Sequence, residues 1–311
     1  MENILFSVII LSYKNLEYVE DTIKSVMDQD YKDIELIIAD DCTEGIDLNK
    51  FKKDIDINNS GNIKNVIIYK NEVNLGIVKN MNKALAVANG NYIKIIDSDD
   101  CFYSKNVLSD VVGYFNNNDS IIITTKFLQC DINMKPLGNA EKIMDSLKAK
   151  LIEGSDPKKF YNKLCAEGTL INPGVFFKKD FFKQYGMLDE SYTHLNDLPL
   201  WLRVTRNGCK MDFFDIVSIK YRVGSGISNQ DKKDNVLIND IIRCYNEEIV
   251  KYKKQIDYYS YKKARYVYIK SFDLNNYSRI KKILFLIENL DIILIKIKNK
   301  ILYSIIYWYE R

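Results

Sequence analysis

A chain of 311 residues that is 47% hydrophobic and 28% charged holds enough apolar material for one large globular domain with an appendage. With 13 glycines, 4 prolines and no self-similar period, it is neither a disordered chain nor a repeat array. Its net charge of +3 hides an asymmetry: residues 241–311 carry 15 Lys+Arg against 7 Asp+Glu, leaving 30 basic and 35 acidic residues in 1–240.

The opening residues show no basic region and no cleavage-site pattern, so a signal peptide is not expected. Phe6 to Leu11 instead form an apolar, β-branched run, the signature of a strand buried on both faces. After a turn at Tyr13-Lys14-Asn15, apolar residues at Leu16, Val19, Ile23, Val26 and Met27 have helical spacing, with Asn15 as the expected N-cap. Ile34 to Ala39 is a second buried strand ending at Asp40-Asp41, and Val66 to Tyr69 a third. Ile77, Met81, Leu85 and Ala88 mark a helix that Gly90 is expected to stop with a positive φ. Tyr92 to Ile96 is a fourth strand, ending at Asp97-Ser98-Asp99-Asp100; a helix through Val107 to Phe115 leads to a fifth strand at Ile121–Ile123. Strands alternating with helices predict an α/β fold whose sheet is mainly parallel and covered on both faces.

From about residue 128 the pattern is irregular. Val175 to Lys178 reads as a strand, and Leu198, Trp201, Leu202 and Thr205 as a short helix closed by Asn207-Gly208. Beyond about residue 230 the chain is helical, basic and rich in tyrosine. The expected division is a domain over 1–230, with a donor-binding half (1–105) and an acceptor-binding half (106–230), followed by a helical extension over 231–311. The six cysteines are scattered without a CxxC pair and His194 is the only histidine, which predicts reduced, buried thiols, a cytoplasmic location and no Cys/His metal site.

In an open α/β sheet, ligands sit beyond the carboxyl ends of the strands. Acids occupy two of those ends, Asp40-Asp41 and Asp97 to Asp100. Clustered carboxylates repel one another unless a cation or hydrogen-bond donors offset them, and oxygen-only ligation suits Mg²⁺ or Mn²⁺. Solvated turn acids are the alternative. There is no GxxxxGK[ST] loop, and the first βα turn has no GxGxxG, which disfavours P-loop enzymes and dinucleotide-dependent dehydrogenases.

Four blocks in order carry a resemblance: Val8 to Asn15, Ile37 to Asp41, Asn74-Leu75-Gly76 with Asn80, and Ile95 to Asp100. Over about residues 6–230 the chain resembles family 2 glycosyltransferases with the GT-A fold, which are inverting enzymes using nucleotide sugars. The resemblance implies that Ser12, Tyr13 and Asn15 line the nucleotide, that an acid of the Asp40-Asp41 pair meets the uracil edge, and that Asn74, Gly76 and Asn80 help hold the donor. Asp97 to Asp99 matches the DxD motif. Asp97 and Ser98 would then lie near the ribose, and Asp97, Asp99 and Asp100 would hold Mn²⁺ or Mg²⁺. Asp197, ahead of Trp201, matches the general base, with a helix N-cap as the alternative reading. The implied donor is a UDP-sugar, and the implied acceptor is a glycan or lipid-linked glycan in surface polysaccharide biosynthesis such as capsule or lipopolysaccharide. No nucleic-acid partner is expected.

Two departures stand out. Relatives often carry a histidine shortly after a Tyr-Arg pair, but Tyr221-Arg222-Val223 is followed here by Gly224-Ser225-Gly226; Asn196 also precedes Asp197 where Glu is common. Arg222 reads as either a phosphate contact or a surface residue, and His194 as either a substrate contact or a bystander. The apolar positions of 279–311 are interrupted by Lys281, Lys282, Lys296, Lys298 and Lys300, too often for a spanning helix. Two fates are open to these helices: peripheral contact with the inner face of the cytoplasmic membrane, or packing on the body or a homodimer partner. A noncatalytic glycan- or nucleotide-binding protein and a nucleotidyltransferase are the competing functions.

Overall fold

The computed structural model describes residues 4–14, 16–137, 143–144, 156–168, 173–224 and 235–298. Its first half alternates β1 (Phe6–Ser12), α1 (Val19–Met27), β2 (Ile34–Asp40), α2 (Leu48–Asn58), β3 (Ile63–Lys70), α3 (Ile77–Val87) and β4 (Tyr92–Asp97). These four strands are parallel in the order β3-β2-β1-β4. Every residue of β1 and β2 is buried, which is why both read as apolar runs, interrupted inside only by Ser7 and Glu35.

The second half is mixed rather than parallel. After β5 (Cys101–Phe102) and α4 (Val107–Asn117) come β6 (Ile122–Cys130), β7 (Ile143–Met144), α5 (Pro157–Glu167), β8 (Val175–Lys178), α6 (Asp180–Tyr185), α7 (Asp197–Arg206) and β9 (Asp212–Arg222). β8 runs antiparallel between β4 and β6, while β9 pairs parallel with β6 and antiparallel with β5. One nine-stranded sheet results, with α1, α2 and α4 contributing to the core on one face and α3, α5 and α7 to the core on the other.

Three local expectations change. α1 starts at Val19, with Tyr18 rather than Asn15 at its N-cap position and no side-chain cap; Asn15 itself lies outside the described residues. Gly90 does not have a positive φ. A Cβ there would sit 2.4 Å from the Ser7 backbone nitrogen, so the residue is small because β1 passes against it. The fifth strand extends to Cys130, well beyond Ile123.

The C-terminal elements are α8 (Asn235–Cys244), α9 (Tyr258–Tyr268) and α10 (Arg279–Glu288), with a further helical stretch over 290–298. Cys244, Ile249, Ile256 and Ala264 belong to the same core as Leu164 of α5 and Trp201 of α7. Residues 235–268 therefore help close the main body. Farther on, Ile269, Phe285, Asn289 and Ile292 are buried, while Ile280, Ile283, Leu284, Ile287, Leu290 and Leu294 are exposed. Among the described residues no helix is long and apolar enough to cross a membrane. The six cysteines are unpaired, and all but Cys42 are buried.

Candidate active site

The carboxyl ends of β1, β2 and β4 meet at one edge because the three strands are adjacent and in register: Ser12 lies opposite Asp40, and Leu11 opposite Asp97. At this edge Ser12 is buried, and its hydroxyl has no hydrogen-bond partner among the described residues. Tyr13 is half-buried, with the Lys14 ammonium 5.0 Å from its ring centre.

The two acids after β2 play different parts. Asp40 is fully buried and closes the next turn, its Oδ1 accepting the Thr43 N–H at 2.7 Å. Asp41 organises a second loop. Its Oδ1 accepts from Asn71 Nδ2 (3.0 Å) and the Leu75 N–H (2.8 Å), and its Oδ2 from the Gly76 N–H (2.9 Å). Asn74 is exposed and its Oδ1 also accepts the Gly76 N–H. Asn80 is buried, donating to the Ala39 carbonyl and accepting from Asn71, so it ties α3 to β2.

Beyond β4, Asp97 is open to water at the strand's end, yet protein encloses its carboxyl on most sides. That enclosure and the neighbouring Asp99 charge push its pKa up to about 6, with Lys94 pulling the other way. Ser98 and Asp99 are buried in the turn that follows, and the Ser98 N–H donates to the Leu11 carbonyl. Asp100 is fully buried and accepts the Arg222 N–H at 3.0 Å. Its burial and the charges of Asp97 and Asp99 hold its carboxyl well above the usual range. One Asp100 oxygen is thus engaged by the backbone, while its Oδ2 has no hydrogen-bond partner among the described residues. Among the described residues no group of three or more His, Cys, Asp or Glu side chains is placed to hold a metal. Asp97 and Asp99 still present oxygen donors whose mutual repulsion a cation would relieve, and that chemistry fits Mg²⁺ or Mn²⁺ with most ligands supplied from outside the protein.

Two buried cations support this turn. Lys94 lies within β4 and donates to the carbonyls of Pro173 and Val175; burial lowers its pKa to about 8 against the pull of Asp100 and Asp97. Arg222 is neither a surface residue nor turned to an open phosphate site. It is buried at the end of β9, donating from Nε to the Asp99 carbonyl (3.0 Å), from Nη2 to Asp21 (2.9 Å) and from Nη1 to the Ile132 carbonyl, with Tyr18 stacked 4.0 Å from it. Sequence reasoning had no means to find this clamp, because its partners come from three separate segments.

Asp197 is the first residue of α7, half-buried, with Oδ1 accepting the Leu198 N–H at 2.6 Å. His194 lies three residues before it, half-buried. The loop carrying both reaches the turn before α3 directly: a Cβ on Gly76 would lie 2.7 Å from Thr193 Cγ2 and 3.2 Å from the Thr193 carbonyl oxygen. A residue the sequence did not single out, Asp240 of α8, holds that loop, one carboxylate oxygen accepting the N–H groups of Thr193 (2.9 Å), His194 (2.7 Å) and Leu195 (3.1 Å).

Known proteins share this framework. The family model described as Glycosyl transferase family 2 matches residues 7–186. An uncharacterised glycosyltransferase of Methanocaldococcus jannaschii is 29% identical over 72% of this chain and 72% of its own length. The Escherichia coli UDP-Glc:α-D-GlcNAc-diphosphoundecaprenol β-1,3-glucosyltransferase WfaP is 25% identical over 73% of this chain and 81% of its own. Among solved structures, S. aureus TarS 1–349 in complex with UDP-GlcNAc superposes with a TM-score of 0.55 at 17% identity, covering 87% of this chain and 82% of that one. Against the longer TarS chain the match spans 49% of that protein. The Pyrobaculum calidifontis mannosyltransferase PcManGT, in complex with GDP-Man and Mn²⁺, gives a TM-score of 0.50 at 16% identity over 77% of this chain and 60% of that one. The curled mixed sheet with flanking helices is that of GT-A structures.

Proposed function

The chain belongs to glycosyl transferase family 2, and from that premise we propose that it transfers a sugar from a UDP-sugar to a glycan or lipid-linked glycan of a surface polysaccharide, with inversion. One observation carries the reading: the loop bearing Asp197 abuts the Asp41-held turn at Gly76, which links the acceptor side to the nucleotide side.

In this reading Ser12 and Tyr13 bound the base, and Asn15 and Ser98 remain proposed neighbours of the nucleotide. An acid of the Asp40-Asp41 pair meets the uracil edge: Asp40 Oδ2 has no hydrogen-bond partner among the described residues, and Asp41 Oδ2 holds one donor and retains acceptor capacity. Asp97 and Asp99 are the proposed protein ligands of Mn²⁺ or Mg²⁺. When bound, such a cation neutralises charge on the departing diphosphate as a Lewis acid. Asp197 takes the proton of the acceptor hydroxyl as its oxygen bonds to the anomeric carbon; the bond from that carbon to the diphosphate oxygen breaks and UDP leaves. A single displacement of this kind inverts the anomeric centre.

Residues 1–230 carry the reacting groups, residues 235–268 pack against their core, and the basic helical segment after them extends the protein toward its acceptor. The exposed stripe of Ile280, Ile283, Leu284, Ile287, Leu290 and Leu294 lies beside Lys281, Lys282, Lys296 and Lys298, a combination that suits the anionic inner face of the cytoplasmic membrane. Lys300 and the apolar positions that follow it lie outside the described residues.

Incubation with a panel of UDP-sugars and Mn²⁺, with UDP release as the readout, tests the function. Slow metal-dependent release from at least one UDP-sugar is expected. Tight nucleotide-sugar binding without turnover, even with candidate acceptors, would instead identify a noncatalytic binding protein.

A further inference from the structure

We infer that Asp240, in the first helix after the proposed catalytic region, is a positioning residue that holds the Thr193–Leu195 loop, and with it Asp197, in register with the donor site. The inference rests on the proposed role of Asp197 as the base.

Three consecutive backbone N–H groups converge on one oxygen of Asp240 at 2.7–3.1 Å. Successive amides directed at one point form a concave site for negative charge, and hydrogen bonds to an ionised acceptor are stronger than neutral ones. Asp240 is 6% exposed, so water does not readily replace it. One helical turn away, Arg243 donates to the Ser191 carbonyl at 2.7 Å, so α8 grips the same loop twice.

The gripped loop has two further attachments. Thr193 is in close approach to Gly76, whose N–H is held by Asp41 at the end of β2. Leu195 is followed directly by Asn196 and by Asp197 at the start of α7. A displacement of the Thr193–Leu195 backbone is therefore passed both to the base and to the turn beside the nucleotide. The helix supplying the grip is anchored in turn, because Cys244 at its end is buried in the main core. The helices after residue 230 thus complete the active site as well as extending from it.

Asp240→Ala leaves three amides without their acceptor, while Asp240→Asn retains a carbonyl oxygen at the same place. With the UDP-sugar that gives the fastest UDP release, D240A is expected to lower kcat by ~10–100-fold, as misplacement of a catalytic group does, with KM for the donor changed less than ~3-fold. D240N is expected to recover most of the loss, with the pH profile of kcat unmoved, because Asp240 exchanges no proton with substrate. In the Asp197→Asn background, adding D240A is expected to cost little more.

A folded D240A protein with kcat within ~2-fold of wild type overturns the inference, and so does a full multiplicative loss in the double variant. Should D240A fail to fold, amide hydrogen exchange in Asp240→Ser, whose shorter side chain does not reach the three amides, decides. Faster exchange at residues 193–195 than in wild type, with the interior of α7 unchanged, supports the grip; unchanged exchange at those amides rejects it. Normal turnover by D197N with a large kcat loss in D240A would instead reject the base assignment while sustaining the role of Asp240 as a loop anchor.

Discussion

Gly76→Ala tests how closely the two halves of the site are joined. Gly76 has φ 82° and ψ 160°, a region of backbone space that is essentially reserved for glycine. Holding alanine there costs ~1–3 kcal/mol. The new Cβ also meets Thr193, 2.7 Å from its Cγ2 and 3.2 Å from its carbonyl oxygen. The side-chain methyl can rotate away but the carbonyl cannot easily recede, since the Thr193 N–H is held by Asp240. Overpacking of this sort adds ~1–3 kcal/mol, so the total is ~2–6 kcal/mol, a large share of the ~5–15 kcal/mol that stabilises ordinary folds. Urea denaturation is the assay: the midpoint should fall by the corresponding amount with an unchanged slope, and UDP release should slow in the folded fraction. A midpoint within about 0.5 kcal/mol of wild type, a typical surface-substitution effect, together with unchanged UDP release would refute the proposed contact.

Asp197→Asn should lower kcat by at least ~10²-fold with little change in UDP affinity, measured by UDP release and by titration calorimetry; near-normal turnover would place the base elsewhere. Truncation before Ile280 removes the exposed stripe and the last lysines together with Phe285 and Ile292, which lie outside the main core, so the body should remain folded, release UDP as before and lose sedimentation with anionic liposomes. A shift from dimer to monomer with unchanged liposome binding would make the stripe a subunit contact. Burial alone would raise the pKa of Glu35, but hydrogen bonds from Ser7, Asn89 and Asn65 outweigh it and hold the group below the usual 4.5. Its stabilisation is therefore present above pH 4.5 and lost as pH falls through the lower folded value, so wild type should lose stability on acidification more steeply than Glu35→Gln, as read by denaturant midpoints.

The first half of the fold was legible because buried parallel strands announce themselves as apolar runs, and because acids at the ends of β2 and β4 are conspicuous against them. The polar helix α2 was not legible: it buries only Phe51 and Ile55, too few positions to establish a period. β9 was hidden by the register shifts near Lys126 that disturb its pairing with β6, so its buried positions do not alternate. At the site, residue types were readable but orientations were not. Asp99 and Asp100 are adjacent and chemically identical, yet only the fold turns the Asp100 carboxylate onto the Arg222 backbone. The sequence offers no sign that Asn80 also bridges α3 to β2. Asp240 gave no signal at all, because a single acid in a helix reveals nothing about three amides 45–47 residues earlier in the chain.

The most direct test of the account is calorimetric titration of UDP into wild type and Asp99→Asn, each with Mn²⁺ and with excess chelator. Wild type should bind UDP with Mn²⁺ and lose at least ~10-fold in affinity in chelator, about 1.4 kcal/mol, while Asp99→Asn should show the weak affinity under both conditions with an unchanged melting temperature. Equal UDP affinity with and without the metal, or an Asp99→Asn protein that binds as wild type does, would contradict a metal-assisted nucleotide-sugar site at the end of β4.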